Sequence, residues 1–258
     1  MYRSEKKAQV QSQFGTHARF YATSVVHAQG HSLSRLIALA APKLGDTVLD
    51  IATAAGHNAF SFAPHVHYVI GLDLTSEMLF QARDLARSRS ILNVDFSQGD
   101  AECLPFADER FSIVTCRIAP HHFPDLEIAL KEMSRVCQRG GWLAICDNVM
   151  PEDPDSAAYI NSLEARRDPS HHWAYSRSEW RQFLRQAGLV IEIEETLPKK
   201  MNFVSWAERM SVPEALTREL RQEVLHAPSL ARDYLNPRIE EDELYFDLTE
   251  GIFIGRKV

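Results

Sequence analysis

The sequence predicts an α/β protein with a mostly parallel sheet and helices on both of its faces. Between residues 32 and 147, apolar runs of strand length alternate with segments of helical periodicity. Most of these runs are predominantly apolar, as expected for strands that helices cover on both sides. Helices between successive strands also provide the right-handed crossovers that a parallel sheet requires. The five runs are residues 47–51, 68–72, 94–97, 111–116 and 142–146.

Four helices are predicted, one before the first strand and three between strands. Three of them follow a residue whose side chain can accept a hydrogen bond from the first turn. These expected caps are Ser32, Thr75 and Asp125. A short helix over 59–63 is expected to stop at Pro64, and Gly140-Gly141 is expected to end the last helix.

The pattern changes after Asp147. Pro151 and Pro154 mark a loop, and helix-like segments follow over 159–166, 178–187 and much of 202–235. Residues 189–197 alternate like a strand with one wet face, and 251–256 form a last strand, which gives seven strands. We expect an N-terminal cover over 1–31, a core over 32–150, and helical lid insertions with the last strands over 151–258.

Charge, cysteine pattern and hydropathy indicate which binding partners and which compartment the sequence favours. The chain has 28 Lys and Arg against 35 Asp and Glu, a formal charge of −7, so nucleic acid and anionic membrane are disfavoured. Four scattered cysteines without a CxxC pair indicate reduced thiols and a cytoplasmic protein. Residues 1–10 are polar, and no apolar run is long enough to cross a bilayer.

Three acidic residues close the first three strands. Asp50 is followed by small residues at 52, 54 and 56, which let a ligand approach the backbone closely near a helix N-terminus. Asp73 ends the second strand, where a carboxylate can accept both hydroxyl protons of a ribose. Asp100 ends the third strand. Ligands of parallel sheets bind beyond these carboxyl ends, so the three acids predict one site.

In order along the chain, these motifs resemble class I S-adenosylmethionine-dependent methyltransferases. The motifs are Asp-x-small-x-small-x-Gly at 50–56, Gly-Leu-Asp at 71–73, and Gly-Asp-Ala-Glu-x-Leu-Pro-Phe at 99–106. The likeness covers residues 45–148 and is greatest to the branch with the ubiquinone and menaquinone C-methyltransferases. It implies a Rossmann-like fold and S-adenosylmethionine as cofactor.

The resemblance also implies roles for individual residues. The loop from Ala52 through Ala54 to Gly56 would hold the methionine end, and Asp50 would orient its amino group. Asp73 would bind the ribose. The remaining implied cofactor contacts are Asp100 and Ala101 to the adenine, Leu74 and Met78 packed on the adenosine, and Arg117 and His122 beside the sulfonium.

Two alternatives bear on this cofactor site. Asp73 and Asp100 precede loops and could serve only as caps. A nicotinamide dehydrogenase would need Gly-x-Gly-x-x-Gly, whereas this loop has one glycine and follows Asp50. The family usually has glycine at positions 52 and 54, and we expect that Ala52 and Ala54 satisfy a need for smallness rather than for a positive φ.

The sequence gives fewer signals for the residues that contact the methyl acceptor. His121 or His122 could act as a catalytic base, or could only pack at a helix start. Tyr21 could close the pocket, or belong to a helix face that covers the sheet. Possible substrate contacts in the region after the fifth strand are Arg166, His171 and His172. No Cys/His spacing supports a metal.

The expected reaction moves a methyl group from S-adenosylmethionine to a carbon, oxygen or nitrogen of a small metabolite. Aromatic residues in the variable region suggest an apolar or aromatic substrate, although core packing explains them equally well. These residues are Trp173, Trp180, Phe203 and Trp206. A cofactor-binding protein with another reaction or a regulatory role remains the alternative, and the chain could be a monomer or a homodimer.

Overall fold

The sheet is the centre of the fold. The computed structural model describes residues 2–23 and 30–258. The strands are β1 Thr47–Ile51, β2 Tyr68–Asp73, β3 Val94–Gln98, β4 Phe111–Arg117, β5 Cys137–Met150, β6 Tyr175–Ser176, β7 Leu189–Asn202, β8 Arg238–Glu240 and β9 Glu243–Lys257.

The strand order is β3-β2-β1-β4-β5-β9-β7, with the first five parallel and β9 antiparallel between β5 and β7. This confirms the predicted fold class. Two short strands were not predicted: β6 pairs with β5, and β8 pairs with β9. Strands of two and three residues are too short to show a period.

Ten α-helices lie in the described residues. They are α1 Tyr2–Thr23, α2 His31–Ala40, α3 His57–Phe62, α4 Ser76–Ser88, α5 Leu126–Val136, α6 Pro154–Arg167, α7 Arg177–Gln186, α8 Phe203–Glu208, α9 Glu214–Leu225 and α10 Ser229–Leu235. None of the helices in these residues is long and apolar enough to cross a membrane.

Of the three predicted helix caps, only Asp125 makes the expected side-chain hydrogen bond. Asp125 caps α5 as predicted, since its carboxylate accepts from the Ile128 N–H at 3.0 Å. The prediction for Ser32 was wrong, because α2 begins at His31 after Gly30 and Ser32 lies inside its first turn. Thr75 is the N-cap residue of α4, but its side chain makes no capping hydrogen bond.

The expected end of α5 at Gly140-Gly141 was also wrong. The helix ends at Val136, and both glycines lie within β5. Gly140 has a φ of +74°, and a Cβ on Gly141 would approach the Ser112 carbonyl oxygen to 2.8 Å. Backbone conformation and a close strand contact, not helix termination, therefore account for this pair.

Three apolar clusters hold the layers together. One packs α5 and α7 on the sheet around Phe111, Met133 and Trp180. The second packs α2, α3 and α4 on the opposite side and includes Phe62. The third joins α6 and α8–α10 to the distal parts of β7 and β9, and Trp206 lies in it. The segment after β5 thus has a core of its own.

Candidate active site at the carboxyl edge of the sheet

A cleft opens at the carboxyl ends of the parallel strands, as the topology predicts. Its walls are the loops after β1, β2, β3 and β4 together with residues from α1, α4, β5, α6, β7, α8 and β9. The loops bring the three strand-end acids, Asp50, Asp73 and Asp100, into this one cleft. The sequence separates them by 50 residues, so the parallel sheet is what assembles them.

Asp50 lies at the floor of the cleft and is 1% exposed. Its two carboxylate oxygens accept hydrogen bonds from Thr53 Oγ1 and Asn58 Nδ2, each at 2.6 Å. Burial raises the pKa of Asp50 to about 6, even though these donors favour the ionised form. The backbone N–H of Ala59 and the positive charge of Arg117 also favour the ionised carboxylate.

The loop after β1 is strained. Ala52 and Ala54 have φ values of 52° and 48°, so the expectation that smallness alone is needed there was wrong. Each alanine costs roughly 1–2 kcal/mol in this region because its Cβ crowds the backbone. Gly56 also has a positive φ, of 87°, but it does not line the cleft. A Cβ at Gly56 would come within 2.7 Å of the Phe60 ring.

Asp73 accepts hydrogen bonds from two backbone N–H groups and also lines the cleft. Its Oδ2 accepts from the Ala54 N–H and its Oδ1 from the Thr75 N–H, both at 2.8 Å. Burial raises the pKa of Asp73. Capping and ligand contact are compatible here, because each carboxylate oxygen keeps a second lone pair. Leu74 and Met78, the residues expected beside an adenosine, also line the cleft.

Asp100 faces the cleft together with Ala101 and is paired with α1. Lys7 Nζ lies 2.6 Å from Asp100 Oδ2 and 2.6 Å from Glu102 Oε2. Burial lowers the pKa of Lys7, but these two carboxylates outweigh burial and the net shift is upward. Lys7 and Phe14 place α1 along the cleft wall, a contact that no sequence signal at Lys7 indicated.

His121 forms a buried dyad with Asp147. The Nδ1 of His121 is 2.6 Å from Asp147 Oδ1, and its backbone N–H donates to Asp147 Oδ2 at 2.8 Å. Burial lowers the pKa of His121, but the charge and hydrogen bond of Asp147 outweigh it and raise the pKa overall. His121 lines the cleft, so the dyad resembles a base with its orienting carboxylate.

His122 has a different environment. Its Nδ1 lies 3.1 Å from the Ser170 carbonyl oxygen and 3.2 Å from Ser170 Oγ. The edge-on ring of Phe14 packs against it at a centroid distance of 5.1 Å. Burial, followed by the nearby His121, lowers the pKa of His122 to about 4. Two adjacent histidines thus have pKa values shifted in opposite directions.

The expected substrate contacts are only partly in place. His171 lines the cleft, and its Nε2 is 2.8 Å from Asn161 Oδ1. Arg166 and His172 do not line it. Arg166 pairs with Glu219 and Glu223 of α9 instead, because consecutive helical residues point about 100° apart and Arg166 does not share the direction of Arg167.

The other residues that the sequence singled out are Arg117, Tyr21 and the aromatic residues of the variable region. Arg117 lines the cleft and donates to Ser32 Oγ at 3.2 Å. The side chain of Tyr21 lies outside the described residues. Of the variable-region aromatics, Trp180, Phe203 and Trp206 are buried in the apolar clusters. Trp206 also lines the cleft, and Trp173 does not.

Fold and site together define a class I methyltransferase. Residues 42–188 match the methyltransferase domain family, and the chain belongs to it. Family membership implies the use of S-adenosylmethionine.

Individual relatives agree with this assignment. YcgJ, an uncharacterized methyltransferase of Bacillus subtilis strain 168, is 36% identical over 220 residues, or 85% of this chain and 87% of the relative. The crystal structure of YcgJ has a TM-score of 0.82 and covers 88% of this chain and 98% of YcgJ. The Francisella tularensis ubiquinone/menaquinone biosynthesis C-methyltransferase UbiE is 34% identical, over 46% of this chain and 49% of that protein.

Proposed function

We propose that this methyltransferase transfers the methyl group of S-adenosylmethionine to a carbon, oxygen or nitrogen of a small metabolite, with His121 as the base. The observation that carries the proposal is the meeting of three strand-end carboxylates and the His121–Asp147 dyad in one cleft. Relatives named as quinone methyltransferases support a small-molecule acceptor.

The residues of the cleft fit the cofactor. The Oδ1 of Asn58 is buried, lines the same cleft region and accepts no hydrogen bond from the described residues. Together with the Asp50 carboxylate, it offers acceptors to the ammonium of a methionine group. Asp73 would hold the ribose hydroxyls, and Asp100 with Ala101 would contact the adenine.

When bound, the cofactor supplies a methyl carbon activated for in-line displacement. The protein has to align the nucleophile and remove its proton where one must leave. Nδ1 of His121 is held by Asp147, so Nε2 is the nitrogen left to receive that proton. The Asp147 carboxylate would stabilise the imidazolium that forms, as an orienting acid does in other base dyads.

The test is methyl transfer itself. Wild-type protein is incubated with S-adenosylmethionine and fractionated metabolite pools, and S-adenosylhomocysteine and products heavier by one methylene unit are detected by mass. We expect product from a fraction, and a loss of about 100-fold or more in His121→Gln. The exposed His226→Gln variant is the control. Cofactor binding without turnover by any fraction would favour the regulatory alternative.

A further inference from the structure

The partners of His122 fix which of its ring nitrogens carries a hydrogen. Ser170 Oγ lies 2.5 Å from Asp168 Oδ1 and donates its one hydrogen to that carboxylate. The same Oγ and the Ser170 carbonyl oxygen are the two neighbours of His122 Nδ1. Neither oxygen has a hydrogen left to give, so both must accept. Nδ1 of His122 therefore bears the hydrogen, and Nε2 of the neutral ring bears a lone pair.

The same reasoning applies to His121. A carboxylate only accepts, so the contact between His121 Nδ1 and Asp147 requires a hydrogen on Nδ1. Both rings line the cleft, and their centroids are 4.2 Å apart. Within the part of the chain that the structure describes, the side-chain hydrogen bonds of the two rings are made by Nδ1 and not by Nε2. The cleft wall thus presents two neighbouring acceptor nitrogens.

Two basic side chains elsewhere in the cleft wall are paired with carboxylates, and Arg209 lies in the wall as well. Lys199 is paired with Glu250 at 2.5 Å, and Arg167 with Glu164 at 2.6 Å. Asn148 Oδ1 is buried and accepts no hydrogen bond from the described residues, so it is a further acceptor. Apolar side chains complete this part of the cleft, namely Met201, Trp206, Met210 and Leu248.

We propose that the methyl acceptor is a neutral molecule with two adjacent hydroxyl groups on an apolar frame. One hydroxyl donates to Nε2 of His121 and the other to Nε2 of His122. This inference rests on the proposed function and names its substrate class. A carboxylate would meet lone pairs at both histidines. An ammonium would find the carboxylates of Glu164 and Glu250 already paired with Arg167 and Lys199.

The two histidines then have separate tasks. The reacting oxygen bonds to the methyl carbon as the carbon–sulfur bond breaks, with that electron pair going to sulfur and the hydroxyl proton to His121. His122 stays neutral and anchors the second hydroxyl. Asp168 and Ser170 are positioning residues, because they act on the substrate only through the orientation and hydrogen placement of His122.

Nuclear magnetic resonance of the histidine nitrogens tests the hydrogen placement. Long-range proton–nitrogen spectra are recorded near neutral pH with nitrogen-15-labelled protein, without and with S-adenosylhomocysteine. We expect the Nδ1–H pattern for His122 in both samples. An Nε2–H pattern for His122 would overturn the proposal. Failure of S-adenosylhomocysteine to bind would instead contradict the cofactor assignment and leave this spectrum readable.

Small probes then test the substrate class. Catechol, phenol, benzoate and benzylamine are titrated into the protein loaded with S-adenosylhomocysteine. We expect catechol to shift both Nε2 signals and to bind about tenfold more tightly than phenol, which lacks one of the two hydrogen bonds. Equal binding of catechol and phenol, or tighter binding of either charged probe, would overturn the proposal.

Two variants at one position separate hydrogen bonding from shape. His122→Gln keeps an acceptor oxygen and is expected to retain part of the preference for catechol, whereas His122→Phe is expected to abolish it. The exposed His226→Gln variant should behave as wild type. An unchanged preference in His122→Phe would contradict the role of His122. If His122→Phe does not fold, the wild-type titration decides alone.

Discussion

At the scale of single residues, the cleft combines strain with buried charge. Ala52 and Ala54 adopt a left-handed backbone in the loop that follows Asp50. The Ala54 N–H donates to Asp73 at 2.8 Å, so the strained loop also ties β1 to β2. Strain of this kind is retained where surrounding contacts impose it, and it clusters at functional sites.

Replacing Ala54 with glycine should stabilise the protein. Relief of roughly 1–2 kcal/mol of strain outweighs the greater freedom of glycine in the unfolded chain, about 0.4–1 kcal/mol. The neighbouring Ala55, which has no positive φ, provides a matched control. Denaturant unfolding should show opposite signs for Ala54→Gly and Ala55→Gly. Destabilisation by both to the same extent would contradict the strain argument.

Asp50 should make cofactor affinity depend on pH. Burial raises its pKa to about 6 in the free protein, and the proposed contact with an ammonium requires the ionised carboxylate. As the pH falls below 6, protonation competes with binding, so the dissociation constant for S-adenosylmethionine should rise by up to about tenfold per pH unit. Above 6 the effect levels off.

Titration calorimetry between pH 5 and 8 measures this dependence. Thr53, Asn58 and Arg117 face Asp50, and none of them is expected to lose a proton in this range. The Asp50→Asn variant should bind more weakly and with a flatter pH dependence. A wild-type dissociation constant that is constant down to pH 5 would count against the Asp50 contact.

At the scale of elements, helix α1 adds residues to the cleft that lie far in sequence from the strand ends. Its residues Lys7, Val10 and Phe14 lie on the cleft wall, and Gln11 donates to the Leu74 carbonyl at 3.1 Å. The helix therefore touches the loops after β2 and β3, where the nucleoside is proposed to bind. A bound nucleoside would lie between α1 and the sheet edge.

Cofactor binding should protect the backbone of α1. Hydrogen–deuterium exchange of residues 7–14 is expected to slow when S-adenosylhomocysteine saturates the protein, because bound ligand disfavours local opening. Helix α9, which does not line the cleft, serves as an internal control. Protection of the loop after β1 without any change in α1 would show that the helix does not cover the ligand.

The elements also show what the sequence could predict. Strands β1, β2 and β4 and the centre of β5 follow from mainly apolar runs, and Asp125 from cap chemistry, because both signals are local. The roles of Lys7, Asn58 and Arg167 were missed because they depend on contacts across the fold: Lys7 meets Asp100 through the path of α1, 93 residues away. Arg166 was chosen over Arg167 because spacing alone does not decide which side of α6 faces the cleft.

At the scale of the whole molecule, β7 and β9 connect the layers. Leu244 and Phe246 of β9 belong to the cluster with α8–α10, whereas Phe253 of the same strand packs in the cluster with α5 and α7. Strand β7 likewise contributes Met201 to the cluster with α8–α10 and Leu189 to the cluster with α5 and α7. The region after β5 is thus continuous with the sheet.

This continuity predicts a single cooperative unfolding transition. Trp180 reports on the cluster with α5 and α7, and Trp206 on the cluster with α8–α10. Urea unfolding followed by the fluorescence of single-tryptophan variants should give coincident midpoints for the two reporters. Midpoints that differ clearly between Trp180 and Trp206 would instead indicate two units that unfold separately.

The central claim is that the carboxylates at the strand ends bind S-adenosylmethionine. Titration calorimetry with S-adenosylmethionine and S-adenosylhomocysteine tests it on wild type, Asp73→Asn and the exposed control Asp84→Asn, with circular dichroism to verify folding. We predict saturable binding to wild type and Asp84→Asn, and a loss of about ten- to a hundredfold in affinity for Asp73→Asn. No binding of either ligand by folded wild type, or unchanged affinity in Asp73→Asn, would contradict the account.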